Sequence, residues 1–382
     1  MASDKFIAIG VGQGDAFYLE RSGVKILVDG GRAESKFSNQ FYNVTGTTEL
    51  DIAVCTHADA DHINGLIGLF KNNVNVSELW VPGTWSSRLQ DLLTDPLSFF
   101  EELEDNIESL EYCESDSLEG LDTYHEYYLR KRDKKPESPS ETNETDIQII
   151  ESALEEFRDF GKSYIPYRNS RIYRHIFKEQ HRRNLFFDAI DTAKKIKELA
   201  ILAFHSGTKI RWFEFNEQER PGGGEAFLRP VNSSEILNIS KRVSVLEYLY
   251  LSKVNKQSLV FYSPSREGTC DVLFSADSDF SFGQNLPPLR KNSIVTSPHH
   301  GSDSNRAAYT KLNKQQKSLS NVIMVRSDGN YKSRPGSSYR SSDTMNICTL
   351  CRHSLSNKQH VILNSTALGW KKSNNVAWCH CK

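Results

Sequence analysis

Short apolar runs, cut by glycine, open the chain. Lys5–Val11 alternates loosely, Ala16–Glu20 and Lys25–Val28 are compact runs, and Leu50–Cys55 is another. Gly10, Gly12, Gly14, Gly23, Gly30 and Gly31 separate them, which predicts strands joined by tight turns. Helical spacing begins at Ile63 and continues through Leu66, Ile67, Leu69 and Phe70, before Glu78–Val81 returns to a strand ahead of Pro82-Gly83. Hairpins followed by β-helix-β units predict layered sheets with helices outside.

Between residues 84 and 199 the pattern turns helical, over Leu89–Leu110, Tyr124–Arg132, Ile147–Phe160 and Leu185–Leu199. A polar, proline-containing stretch from Lys134 to Thr145 reads as a loop. Residues 94–160 carry an acidic excess and 162–197 a basic one, so two halves of a helical insertion attract each other, or the insertion serves as a partner- or substrate-binding module. After Ile201 the β texture resumes at Ile210–Phe215, Ser258–Ser263, Asp271–Ser275, Ser293–Ser297, Asn321–Val325 and His360–Leu363. Asn305–Leu312 and Ser342–Leu355 read as helices. Pro221-Gly222-Gly223-Gly224 is a turn without the strand and helix that a phosphate loop requires. The expected division is residues 1–83 plus 200–382 as one discontinuous domain, with 84–199 inserted.

Composition narrows the class. At 382 residues, with 38% hydrophobic and 10% aromatic positions, the chain can build a large core, which excludes wholesale disorder. Its net charge of −2 selects no partner globally. No apolar run approaches the roughly 18 residues a membrane span needs, and Met1-Ala2-Ser3-Asp4-Lys5 does not begin a secretory signal. A soluble, cytoplasmic protein without membrane contact is expected, its seven cysteines reduced thiols with at most a local metal role.

The chemistry concentrates at strand ends. Thr56-His57-Ala58-Asp59-Ala60-Asp61-His62 follows the strand Leu50–Cys55 and precedes a helix. Two imidazoles and two carboxylates in six residues are costly to bury without partners, whereas at a strand's carboxyl end they can converge on divalent cations. Val272–Ala276 ends in Asp277, and Val295-Thr296-Ser297-Pro298 leads to His299-His300-Gly301-Ser302. One such histidine is commonly a core residue; three strand ends with the same chemistry point to one site.

The order of these motifs, a His-x-Asp-x-Asp-His run, a strand ending in Asp and Pro-His-His-Gly-Ser, resembles the metallo-β-lactamase superfamily. Within it, the chain is similar to the ComEC-type competence-protein domain. Gly10-Val11-Gly12-Gln13-Gly14-Asp15-Ala16, Ile26-Leu27-Val28-Asp29-Gly30-Gly31 and Asn255-Lys256-Gln257-Ser258-Leu259-Val260 match further signatures of that subfamily. The resemblance covers roughly residues 5–83 and 208–378 and leaves the helical insertion unmatched. It implies an α/β fold, specifically an αββα sandwich with a large helical insertion and ligands along one edge of the sheets. It also implies two divalent metal ions (Mn or Zn, with Mg as an alternative), His57 and Asp59 holding one, Asp61 and His62 the other, and Asp277 between them. His299 or His300 would complete the site as ligand or proton shuttle, with Asp61 accepting a proton from water.

Three departures stand out. Gly10 occupies the place of the family's Asp, and Ser333-Arg334-Pro335 that of a Gly-His-Pro element. For the superfamily's middle histidine the candidate is His205, at the end of a helical run.

From Arg290 to Arg340 about ten Lys or Arg residues face two acids, and Tyr309, Tyr331 and Tyr339 are interleaved with Arg306, Lys311, Lys332, Arg334 and Arg340. That texture suits phosphate contacts and base stacking, or else a solvated basic face. With the resemblance, it points to a DNA nuclease in which Arg306, Lys332, Arg334 and Arg340 bind substrate. Soluble relatives of this kind resemble effectors of prokaryotic antiviral defence modules, gated by a regulatory protein through a region such as 84–199. A small-molecule metallohydrolase and a degenerate scaffold remain as alternatives. Finally, Cys348-Thr349-Leu350-Cys351 and Cys379-His380-Cys381, with His353 nearby, form a candidate structural zinc site.

Overall fold

A computed structural model describes residues 4–110, 115–121, 179–265, 270–316, 319–327, 333–351, 358–379 and 381. The patterns at Tyr124–Arg132, Lys134–Thr145 and Ile147–Phe160, together with Tyr331, Lys332, His353 and His380, lie outside them. The chain is an α/β molecule with mixed sheets and forms two compact units. One comprises residues 1–83, 198–239 and 255–382; the other comprises 84–197 and 240–254. The second unit thus gathers a segment, 240–254, that sequence patterning left with the first.

In the first unit, β1 (Lys5–Ala8), β2 (Phe17–Arg21) and β3 (Val24–Val28) run antiparallel, and β4 (Glu49–Val54), β5 (Asn75–Pro82) and β6 (Lys209–Phe215) continue from β3 in parallel. With β8 (Ser233–Ile236), β14 (Val361–Thr366) and β15 (Gly369–Lys372) they make a nine-stranded sheet. The second, six-stranded sheet comprises β7 (Arg229–Pro230), β9 (Phe261–Ser263), β10 (Val272–Phe274), β11 (Ile294–Thr296), β12 (Ile323–Arg326) and β13 (Met345–Cys348). Strands β10 to β13 are parallel.

The sheets bury a common apolar core. Phe6, Phe17, Val28 and Val54 of one meet Phe274, Val325 and Ile347 of the other, with the Phe6 and Phe274 rings 6.2 Å apart. Strand alternation sends the neighbouring side chains outward. Tyr18 packs on Phe41 of α1 (Glu34–Thr45) at 5.9 Å, and Leu273, Val295 and Met324 pack with Ala308, Tyr309 and Leu312 of α7 (Arg306–Gln315). Helices therefore cover the outer faces. Helix α2 (Ala60–Lys71) lies so close to the turn after β3 that a Cβ on Gly65 would fall 1.8 Å from the Gly30 carbonyl oxygen, so only glycine permits that approach.

Two expected helices change. Ser342–Leu355 contains strand β13, because Ile347 fills the inter-sheet core and Met345–Cys348 pairs in register with Ile323–Arg326. Leu89–Leu110 divides into α3 (Leu89–Thr94) and α4 (Pro96–Glu108), both in the second unit. Pro96 cannot continue a helix but starts one well, and Asp95 caps it by accepting the Ser98 amide at 3.1 Å. That unit also holds α6 (Val245–Lys253), whose Lys253 ammonium lies 2.7 Å from Asp188. Asp188 stands on α5 (Gln180–His205). Among the described residues no helix is long and apolar enough to cross a membrane.

Candidate metal centre

In the first unit, the carboxyl ends of parallel strands from both sheets carry the polar residues, where ligands of open α/β sheets commonly sit. Asp29 follows β3, Thr56–His62 follows β4, Asp277 follows β10, His299-His300 follows β11 and Ser327 follows β12. Asp15 comes from the β1–β2 turn, where Gly14 makes the approach possible. Gly14 has φ +95, and a Cβ there would stand 1.8 Å from the Asp61 carbonyl oxygen. The Asp15 amide donates to that same carbonyl at 3.1 Å.

Asp15, His62, Asp277 and His300 converge. One ligand-type atom from each lies within 4.8 Å of the others, and all four residues are buried. His62 Nε2 is 3.4 Å and His300 Nε2 3.5 Å from Asp277 Oδ1. These three atoms, and both Asp15 oxygens, are buried without a hydrogen-bond partner. Leaving one buried polar atom unsatisfied costs about 1–3 kcal/mol, so five together in one pocket fit a cation far better than a dry packing solution. The residues present therefore suit a metal ion.

Each imidazole is aimed from behind. The Thr56 hydroxyl donates to Asp29 Oδ2 at 2.8 Å, so its oxygen is left to accept from His57 Nδ1 at 3.0 Å. His62 Nδ1 donates to Asp29 Oδ2 at 2.9 Å, and His300 Nδ1 to the Ser327 carbonyl at 2.9 Å. All three rings thus spend Nδ1–H on an outer partner and turn Nε2 inward, the arrangement that orients metal-binding histidines. Asp29, with φ +59, also accepts the Thr56 amide at 2.9 Å. His299, His300 and Ala276 share the left-handed region (φ 45, 51 and 46). Such backbone is uncommon outside glycine and costs roughly 1–3 kcal/mol each, and it gathers at sites the surrounding structure over-determines.

His299 differs from its neighbour. Arg334 Nη2 donates to His299 Nε2 at 2.9 Å, leaving Nδ1–H for Asn305 Oδ1 at 3.1 Å. Burial, with His300 and Arg334 adding positive charge, lowers its pKa, so it stays neutral. In this arrangement His300 reaches the converging quartet and His299 Nε2 is engaged by a guanidinium.

The electrostatics of the quartet are strongly coupled. Burial opposes charge on His300, yet Asp277, Asp15 and Asp61 outweigh it and push the imidazole up to about 10. Burial likewise opposes charge on His62, and Asp277 and Asp29 raise it well above the ordinary range. Burial would favour a neutral Asp277, but His300, His299 and His62 hold it far below the usual carboxylate value. For Asp15 burial wins and the pKa rises. His300 Nδ1 aims at Ser327, so Asp15 meets it off-axis at 3.0 Å and lowers its own cost only partly.

Among the other anticipated residues, His57 Nε2 and Asp59 Oδ2 lie 3.6 Å apart beside this quartet, with the His57 and His62 rings 4.1 Å apart. Asp61 Oδ2 is 3.7 Å from His300 Nε2 and is the more exposed acid. Arg334 touches the site through His299; Arg306 and Arg340 are exposed, and Lys332 is outside the described residues. His205 sits exposed at the end of α5, not among the converging groups. At Gly10 a Cβ would fall 2.8 Å from the Gln359 carbonyl oxygen, a physical reason for no larger residue there. Asp15 and Asp29 are the residues that sequence reasoning left without a role. Their signal was present in Gly14-Asp15 and Asp29-Gly30-Gly31, an acid beside the glycine that permits close approach.

A second group able to hold a metal ion comprises Cys348, Cys351, Cys379 and Cys381. No protein-family model matches the chain, and no curated protein matches it.

Proposed function

We propose that the chain is a metal-dependent phosphodiesterase with a metallo-β-lactamase fold, acting as a nuclease on DNA. The observation that carries this reading is the convergence of Asp15, His62, Asp277 and His300, their inward atoms buried without hydrogen-bond partners. Two packed sheets with helices on both outer faces, and the polar residues at one set of strand ends, support the fold assignment.

Asp15, His62, Asp277 and His300 would hold one divalent cation, with His57, Asp59 and Asp61 able to serve a second. Bound Mn, Zn or Mg supplies Lewis acidity that activates water and offsets phosphate charge. The chain's own groups do the rest. Asp61, partly open to solvent at the rim, is placed to accept a proton from the attacking water. Arg334, semi-exposed beside His299, offers a fork of donors to a phosphate, and Arg306 and Arg340 extend positive charge over the same stretch of chain. A guanidinium drawn onto a phosphate would leave the unprotonated His299 Nε2 free to accept a proton.

The test is a cleavage panel of single- and double-stranded DNA, RNA and cyclic nucleotides with Mn, Mg or Zn, beside Asp277→Asn and Asp61→Ala. Metal-stimulated DNA cleavage that both substitutions abolish and salt suppresses is the expected result. Cleavage unaffected by Asp277→Asn overturns the metal centre. Turnover confined to cyclic nucleotides overturns the polymer substrate.

A further inference from the structure

The four cysteines near the carboxyl terminus lie outside the chemistry above. Cys348 ends β13, Cys351 lies in the following turn, and Cys379 and Cys381 come from the terminal segment. All four are buried, none is in a disulfide, and their sulfurs lie within 4.8 Å of one another. Cys351 and Cys381 Sγ are 3.6 Å apart. A tetrahedral zinc thiolate with Zn–S bonds of about 2.3 Å has sulfurs about 3.8 Å apart along each edge, so these thiols are already close to that spacing. The Cys381 amide donates to Cys379 Sγ at 3.4 Å, the kind of contact that favours a thiolate.

A buried cation lies alongside. Arg326 is 1% exposed; its Nη2 donates to the Leu350 carbonyl at 2.9 Å and stands 4.0 Å from Cys381 Sγ. Four thiolates around one dication carry a net charge of −2, and a guanidinium at that distance offsets part of it. The same side chain passes under the histidine turn: a Cβ on Gly301 would lie 3.0 Å from Arg326 Cδ. The next residue, Ser327, supplies the carbonyl that aims His300.

We infer that Cys348, Cys351, Cys379 and Cys381 bind one structural zinc ion, with Arg326 as its buried counter-charge. The zinc fastens the terminal segment to β13 and braces the end of β12 that orients His300. This site is chemically separate from the His/Asp quartet and stands whether or not the chain cleaves DNA.

The experiment measures metal content of the full chain by elemental analysis and, after cobalt substitution, its absorption spectrum. A His62→Ala/Asp277→Asn variant is expected to keep one zinc per chain and the intense bands of tetrahedral cobalt thiolate. Adding Cys379→Ser/Cys381→Ser to that variant is expected to lose both. Should the cysteine variant fail to fold, the parent protein answers through stepwise mercurial titration with a chromogenic chelator. Release of one zinc per four thiols modified supports the site. Zinc retained after cysteine replacement in that background, all seven thiols modified without zinc release, or iron in place of zinc each overturns the assignment.

Discussion

Asp29 accepts from His62 Nδ1 at 2.9 Å with the same oxygen that takes the Thr56 hydroxyl at 2.8 Å. A residue that reaches no substrate thereby aims two imidazoles, His62 directly and His57 through Thr56. Asp29→Asn keeps the shape but replaces one acceptor oxygen by a donor. Metal affinity should fall about 10–100-fold while the protein stays folded, as measured by calorimetric titration beside circular dichroism. Unchanged affinity would refute this orienting role.

Gly14 and Gly23 both have positive φ, yet only Gly14 meets another backbone. Gly23→Ala should cost about 1 kcal/mol, the left-handed penalty alone. Gly14→Ala must also push the Asp61 segment away, so it should cost more than Gly23→Ala and reduce metal loading besides. Urea denaturation of the two variants, compared directly, settles the contrast; equal losses would contradict it.

Charge on His62 and His300 competes with a metal ion for Nε2. With both imidazoles raised, His300 to about 10, cation binding at neutral pH must expel protons. Calorimetry in buffers of different ionisation enthalpy should show proton release, and affinity should weaken as pH falls. Without a cation the sign for stability is the reverse. A histidine whose folded pKa exceeds its unfolded value of about 6.5 stabilises fully below that value, and the contribution disappears as pH rises through about 10. Chelator-treated protein should therefore melt at higher temperature near neutrality than above pH 10.

Arg334→Gln removes a guanidinium from His299 without touching the converging quartet. Metal content should be unchanged, while kcat/KM on DNA falls about 10–100-fold and the salt dependence loses roughly one unit of slope. Loss of metal from this variant would show that Arg334 supports the centre rather than the substrate.

Much of the site could be seen in the sequence because strand ends concentrate it. His57, Asp61, His62, Asp277 and His300 all follow apolar runs that the hydrophobic pattern marks well. Asp15 was less visible because its role depends on Gly14 meeting Asp61, a contact between turns some 45 residues apart in the chain that no local pattern encodes. The choice between His299 and His300 likewise turns on where Arg334 and Ser327 come to lie. Strand β13 has a helix-like sequence pattern for a related reason. A short parallel strand buried on both faces lacks the alternation that separates it from a helix segment. Pro96, by contrast, was a legible break within Leu89–Leu110, and the helical spacing on either side masked it.

The Ser327 hydroxyl donates to the Gly14 carbonyl at 2.6 Å, across 313 positions of sequence. During translation the first motif therefore leaves the ribosome long before the residues that complete its pocket. A nascent chain holding Asp15 and His62 alone has only half of the quartet, and the pocket closes only after Asp277 and His300 have followed.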